Sequence, residues 1–506
     1  MGILSWLRNY TARAKAESLG WDPKARAFDA ARLNRLSFDL RAGTTSADSE
    51  LRGSLRVLWD RARKLARDNP YAVQAKRTTM VNIIGASGVR LRPRVYKLND
   101  DRQLDDRRNK LIVKAWQQWC RADSCDVAGR LSFHGFEMMA AGALPESGEA
   151  IWRIWRRPFG NSKVPLALQM IESDMLDLDY TGKSDGPGRR WRMGIEVDDF
   201  GRPLRYAILT KHPGDYEFPG SYDNRKHEFV PAKDIIHFFV PSRVSQSRGY
   251  PGLAPVLLTA HNLDEYEKAH WTRKRVQASQ LGWIIPADGA VEGDEIVNGQ
   301  HLWNTEPGSY NTLNAGDQVM PPNFGPDDRE YDNVVRNLLR RTASGFGASY
   351  ETISKDFSQT NYSSSRLSIL EDREWWKVLQ SWLIQTFHQR VYEEFIEAAV
   401  ISRVLPVGLF SDYWSNPDRY TAPRWQARTW AWVDPSKELD AIRTARELML
   451  ETHAQQIHGH SGEEFEDVIS QIADENAIKE ELGLMPEAAE DPEEPAEEVS
   501  DTESPE

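Results

Sequence analysis

Apolar positions three or four residues apart mark the helices of this chain. Arg366–Val400 places Trp376, Leu379, Leu383, Phe387, Val391 and Phe395 at that spacing. Neither Gly nor Pro occurs from Ala348 to Leu405, so one long uninterrupted helix is expected there. Asp327–Ala348, with Val334, Val335, Leu338, Leu339 and Phe346, predicts another helix, on the order of 30 Å long at about 1.5 Å per residue. Leu253–Gln280, opened by Gly249-Tyr-Pro-Gly252, predicts a third. Arg107–Arg121 and Phe133–Leu144 are amphipathic, and Leu51–Ile84 reads as helix broken at Asp68-Asn-Pro70. From Ala150 the period changes. Ile151–Trp155, Leu166–Ile171, Trp191–Val197, Leu204–Leu209 and Ile235–Val240 read as strands between Pro, Gly and Asp turns, a β-rich lobe of roughly a hundred residues. Trp283–Phe324 has short strand-like pieces at Gly282–Ile285 and Gln318–Met320, and reads as a small β-lobe inserted between two helices. Asp434–Leu484 returns to helix. The fold class is α+β.

Between two of these helices lies a short polar stretch, Ser358-Gln-Thr-Asn-Tyr-Ser-Ser-Ser-Arg366. It presents hydroxyls and amides from a loop held at both ends. Ser364 or Ser365 is expected to cap the helix that follows.

Charge divides the chain. Of 76 acidic residues, 18 fall between Ser461 and Glu506, beside a single Lys. The preceding 460 residues carry 63 basic and 58 acidic side chains, so the body is near neutral. A tight, autonomous DNA binder carries a strong basic excess, and this body does not. Met485–Glu506 has too few apolar residues to fold alone, and residues 1–50 read as an arm. Two cysteines, Cys120 and Cys125, make no disulfide framework and only half a zinc site, so buried free thiols are expected. No signal peptide, myristoylation pattern or membrane span is legible.

The chemistry-bearing motifs are incomplete. Gly85-Ala-Ser-Gly88 lacks the Lys-Ser/Thr ending of a P-loop. Asp199-Phe-Gly201 resembles the kinase magnesium motif, but no His-Arg-Asp loop accompanies it, and it reads as a hairpin turn. His227-Glu228 has no second His at metalloprotease spacing, and no Gly-x-Ser-x-Gly elbow occurs. The expected protein is not an enzyme and takes no cofactor or metal. The alternatives are a metal-dependent DNA-processing enzyme using scattered carboxylates, or a ring adaptor elsewhere in a virion.

Five motifs in order carry a resemblance from about Arg26 to Leu484. They are Arg61-Ala-Arg…Asn69-Pro-Tyr-Ala72, Gly194-Ile-Glu…Asp199-Phe-Gly-Arg-Pro203, Arg248-Gly-Tyr-Pro-Gly-Leu-Ala-Pro255, Asp356-Phe-Ser-Gln-Thr-Asn-Tyr-Ser-Ser-Ser-Arg366 and Asp434-Pro-Ser-Lys-Glu438. The sequence resembles the portal proteins of lambda-type tailed bacteriophages. The resemblance implies a portal-type fold: N-terminal arm 1–50, wing 51–245, first stem helix 246–281, clip 282–326, second stem helix 327–348, tunnel loop 349–366, long helix and return to the wing 367–433, helical crown 434–484, and disordered acidic tail 485–506. It implies a dodecameric ring at one capsid vertex of the virion, assembled in the host cytoplasm, through which double-stranded DNA passes without sequence preference during packaging and ejection. The implied partners are the terminase large subunit, head-completion or connector proteins, major capsid protein and scaffold, with no membrane. The implied DNA-facing residues are Lys355, Ser358, Gln359, Thr360, Asn361, Tyr362, Ser363, Ser364 and Arg366 of the tunnel loop. From the stem helices come Lys268, Arg273, Lys274, Arg336 and Arg340.

Overall fold

The computed structural model describes residues 44–484, except 99, 185, 216–225, 280–282, 286–294, 298–299, 303–317, 321–328, 360, 432–434 and 462–464. The arm before residue 44, the acidic tail and most of 282–326 lie outside the described residues.

Helices α1 (Ala47–Arg52), α2 (Leu55–Asp68) and α3 (Pro70–Ile83) open the described chain. The break between α2 and α3 falls at Asn69, whose side chain accepts from the backbone N–H groups of Tyr71 and Ala72 at 3.0 and 3.1 Å while Pro70 takes the first helical position. Strands β1 (Arg90–Arg92), β2 (Tyr96–Lys97) and β3 (Asp100–Leu104) lead to α4 (Asp106–Trp119) and α5 (Phe133–Glu146). Seven strands follow: β4 (Glu149–Trp155), β5 (Ala167–Ile171), β6 (Arg190–Arg192), β7 (Ile195–Val197), β8 (Pro203–Leu209), β9 (His227–Pro231) and β10 (Ile235–Phe239). They form two antiparallel sheets, ordered β10-β4-β5 and β6-β7-β8-β9.

The β-lobe has the strands expected at β4, β5, β8 and β10, and the Asp-Phe-Gly-Arg-Pro turn joins β7 to β8 as read. One reading is corrected and one strand is added. Trp191–Val197 is not one strand: Met193 (φ 44°) and Gly194 (φ 85°) make a two-residue turn that folds it into the β6–β7 hairpin. His227–Pro231 is a strand, paired with β8 from Leu209↔His227 to Arg205↔Pro231. It was invisible because its only deeply buried side chain is Val230.

Helix α6 (Leu257–Ser279) is followed by β11 (Trp283–Ile285), β12 (Glu295–Val297), β13 (Gln300–Leu302) and β14 (Gln318–Met320), which pair β11 with β14 and β12 with β13. Then come α7 (Arg329–Phe346), α8 (Tyr350–Ser354) and α9 (Tyr362–Leu383). Residues Ile384–His388 form a π turn, and α10 (Gln389–Ile401) continues the same axis. The expected single α-helix is thus interrupted. The π turn buries His388, whose Nε2 lies 2.6 Å from the Glu137 carboxylate on α5 and whose Nδ1 lies 3.3 Å from the Leu383 carbonyl. Widening the turn by one residue brings this imidazole into the core beside a carboxylate. Strand β15 (Arg424–Gln426) returns to pair with β1, with Leu91 opposite Trp425. Helices α11 (Pro435–Glu447), α12 (His453–Ser461) and α13 (Phe465–Glu481) end the described chain.

The main core lies where α4, α5, β4, α9 and α10 meet. Trp116 packs against Trp119, Phe133, Tyr392, Phe395 and Trp425 at centroid distances of 5.0–6.0 Å. Trp152 stacks on Phe387 at 4.2 Å. Most of these rings meet edge to face, the arrangement their quadrupoles favour. Cys125 is buried and Cys120 half-buried, both as free thiols, and burial pushes both thiols up.

Candidate functional site

Helices α6 and α7 run side by side, clasped by aromatic rings. His270 stacks on Tyr331 at 4.0 Å and Tyr266 on the same ring at 5.9 Å. Tyr71 on α3 reaches Glu267 from the side, at 3.4 Å. Helix α7 ends at Gly347 (φ 82°), a left-handed position that lets its N–H and that of Ala348 both donate to the Ala343 carbonyl.

The chain then passes into α8 and the polar stretch. Asp372, on α9, fastens the start: its carboxylate accepts from Ser349 N at 2.9 Å, Ser349 Oγ at 2.7 Å and Thr352 Oγ1 at 2.9 Å. Asp356 fastens the turn itself, accepting from Ser358 N at 3.0 Å and Tyr350 Oη at 2.8 Å. The Ser358 hydroxyl first, then the Ser358 N–H and Tyr350, hold the Asp356 carboxyl down to about 2. Lys355, at φ 59°, turns the chain out of α8. The result is a braced loop whose Lys355, Phe357, Ser358, Gln359 and Asn361 are exposed.

The loop is shorter than the sequence implied. Helix α9 starts at Tyr362, so Tyr362, Ser363, Ser364 and Arg366 belong to its first two turns. The cap is Asn361, not Ser364 or Ser365. The Asn361 side-chain oxygen accepts from Ser364 N at 2.8 Å, and Ser364 Oγ donates back to it at 2.8 Å. Asn supplies an acceptor as well as Ser does, and here it lies three residues earlier. Arg366 is turned away from the loop toward α11, where it meets Glu438 at 3.2 Å. Thr360 lies outside the described residues.

The expected helix cations divide. Lys268 is exposed but answered on its own helix by Asp264 at 2.6 Å and Glu265 at 3.2 Å. Arg273, Lys274 and Arg336 are half-buried, and Arg336 acts on both Tyr350 and Asp356. Arg340 is exposed, with its guanidinium 5.6 Å from the Tyr350 ring. The structure therefore groups Arg336 and Arg340 with Tyr350 and Asp356 at the base of the loop, and keeps Lys268 apart with its own acids.

Two features escaped the sequence reading. The first is a buried ion cluster where the chain enters α6. Arg248 donates to Glu149 from Nε at 3.0 Å and Nη2 at 2.5 Å, and to the carbonyls of Leu176, Met193 and Ser173 at 3.0–3.1 Å. Glu149 also accepts from Gly249 N at 2.9 Å and pairs with His237 at 3.0 Å. Burial alone would raise the Glu149 carboxyl, but Arg248 and His237 together hold it down to about 2. Gly148 (φ 78°) and Gly249 permit this crossing of two backbones: a Cβ on Gly148 would fall 1.9 Å from the Tyr250 carbonyl oxygen, and one on Gly249 2.2 Å from that of Gly148. The Arg-Gly-Tyr-Pro-Gly motif is the sequence trace of this cluster.

The second is an apolar stripe along the outer side of α9. Leu367, Leu370, Trp375, Val378 and Trp382 are 38–68% exposed and follow helical spacing. Among the described residues, Glu172, Asp174 and His212 lie close enough together to share a cation, but Asp174 already pairs with Arg63 and His212 with Glu172.

The sequence profile of the phage portal proteins of the lambda family matches residues 34–380. The chain belongs to that family. The matched stretch runs from the arm through the Arg248 cluster, the paired helices and the braced loop, and stops just before the π turn. The "Probable portal protein" of Halomonas phage phiHAP-1 is 29% identical over 473 residues, covering 91% of this chain and 88% of that protein. "Portal protein B" of Escherichia phage lambda is 21% identical over 481 residues, covering 85% of each. Among solved structures, a chain from the "Neck of native GTA particle computed with C12 symmetry" is similar at 13% identity, covering 78% of this chain and 92% of that one with a TM-score of 0.39. Among the described residues no helix is long and apolar enough to cross a membrane.

Proposed function

We propose that this portal-family chain assembles as a dodecameric ring at one capsid vertex and conducts double-stranded DNA through its axis during packaging and ejection, with no chemistry of its own. The observation that carries this reading is the braced loop Lys355–Asn361 in a chain of this family. Its side chains are short or neutral, except Lys355 and Asp356, which are of opposite sign. Such groups touch phosphates without the salt-dependent grip of clustered Lys and Arg, as a moving duplex requires. Repeated around an axis, the loop would ring the channel, with α6 and α7 as stem helices beneath it. Residues 282–326 would face the terminase large subunit and later the head-completion proteins, residues 434–484 would form the crown, and the β-lobe would meet capsid protein and scaffold.

A subunit repeated about an axis must cover part of its surface on its neighbours, and the exposed Trp375, Val378 and Trp382 stripe of α9 supports such a seam. Electron microscopy of the purified protein tests the assembly: rings are expected, and a strictly monomeric species at every salt and protein concentration overturns the reading. In a packaging assay, Ser358→Ala with Gln359→Ala should assemble normally yet package or retain less DNA. Normal packaging would remove the loop from the DNA path.

A further inference from the structure

The turn between β7 and β8 carries an aromatic ring with nothing to cover it. Phe200 is 97% exposed. The turn that bears it is rigid. Asp198 Oδ1 accepts from the N–H groups of Phe200 at 2.9 Å and Arg202 at 2.8 Å, Asp198 N donates to the Arg202 carbonyl at 3.0 Å, and Gly201 takes φ 85°. A side-chain oxygen bonding the backbone in this way pre-sets the turn. The tip thus fixes the backbone that carries the exposed Phe200 ring, with the exposed Asp199 beside it and the Asp198 carboxylate turned onto the turn's own N–H groups.

On another part of the chain, β2 and the segment 415–422 enclose an open cavity of about 710 Å³. Tyr96, Leu98 and Pro417 supply its apolar surface, and Leu98 is 61% exposed. Arg94, Lys97 and Arg419 supply its charge, with Asp418 as its one acidic lining residue. The Arg94 guanidinium donates to Tyr96 Oη at 2.6 Å, and Arg419 is held by Asp412 and the Tyr96 carbonyl, so these three side chains are held in place, while Lys97 and Leu98 stand exposed at the opening. None of Asp198, Asp199 and Phe200 lines this cavity in the same chain.

We infer that Phe200 of one copy seats in the Arg94–Leu98 cavity of the next, with Asp199 against Lys97. This rests on the ring reading above and names a contact within it. An exposed phenyl ring on a braced turn, with the carboxylate of Asp199 beside it, complements a partly apolar recess that carries the exposed Lys97. The two surfaces differ, so the contact is head to tail. A head-to-tail contact repeated about an axis closes a ring, whereas a self-complementary patch would stop at a dimer. A second copy is therefore favoured over a capsid protein, which would need only one of the two surfaces.

The test places a photo-crosslinking phenylalanine analogue at position 200 of the full chain, irradiates purified rings and maps the linked peptides. Links between copies to residues 94–98 or 415–422 are expected. Links elsewhere, or none in intact rings, overturn the inference while leaving the ring reading standing; absence of rings from the unmodified protein overturns both. A charge exchange gives an independent check. Asp199→Lys or Lys97→Asp alone should raise the protein concentration needed for assembly at least about tenfold, and the two together should restore it. Failure of the pair to recover while each variant keeps the parental unfolding temperature also overturns the inference.

Discussion

Arg248 and Glu149, 99 residues apart, share three hydrogen bonds of 2.5–3.0 Å with neither side chain reaching solvent. The pair ties the start of β4 to the entry of α6, and Arg248 extends the tie to the carbonyls of Ser173, Leu176 and Met193. Removing one partner leaves the other charge buried and unanswered. Arg248→Ala should therefore lower stability by about 3–5 kcal/mol. Chemical denaturation of the variant beside the parent measures this. A loss under about 1 kcal/mol would show that the region repacks without the guanidinium.

The same cluster gives stability a pH dependence of known sign. Glu149 ionises at about 2 when folded against an ordinary 4.5, so its contribution is fully present above 4.5 and is lost as pH falls toward 2. Glu137 acts in the same direction: burial opposes its charge, but His134 and His388 hold its carboxyl below the ordinary value. Thermal unfolding followed from pH 5 down to pH 3 should show a steadily falling midpoint. Glu149→Gln should flatten that slope while starting from a lower midpoint.

Helix α9 should depend on Asn361 rather than on the serines behind it. Asn361→Ala removes the acceptor for Ser364 N and is expected to cost about 1 kcal/mol. Ser365→Ala should change stability by less than about 0.5 kcal/mol. Equilibrium unfolding of the two variants separates the assignments, and the reverse order would return the cap to a serine.

The α9 stripe predicts a separation of folding from assembly. Trp375→Ser with Trp382→Ser removes side chains that are 43% and 39% exposed in the single chain, so the monomer should unfold at a lower midpoint through the loss of their covered area, yet remain folded under assembly conditions. Ring formation should weaken, since the seam loses two large apolar contacts of the kind that dominate interfaces. Mass photometry over a protein dilution series reads the shift.

Elements whose burial follows a local period were legible in the sequence. Strands β4, β5, β8 and β10 bury alternating or continuous apolar residues between clear turn signals, and their expected and observed ends differ by at most two residues. What the sequence could not show depends on distant partners. Leu91 meets Trp425 across more than three hundred residues, and neither short strand has a pattern of its own. The Met193-Gly194 turn lacks the Asn-Gly or Asp-Gly pair that announces such hairpins. In the loop, a run of serines reads as irregular chain because serine bonds readily to its own backbone. Here Asn361 takes the cap, and the serines enter the helix. In the sequence the charges of Arg366 and Lys268 read as available to a ligand, but position in the chain does not tell whether an acid such as Glu438 or Asp264 will answer them.

The π turn at Ile384–His388 makes the chain's length there as important as its composition. One residue fewer would let α9 and α10 fuse into plain α-helix, rotating everything downstream by roughly 100° about the axis. Val391, Phe395 and Ala399 would swing out of the core, and His388 would leave Glu137. A conservative substitution in this segment is an ordinary core change, whereas a single-codon deletion there changes the register of the whole second half of the helix.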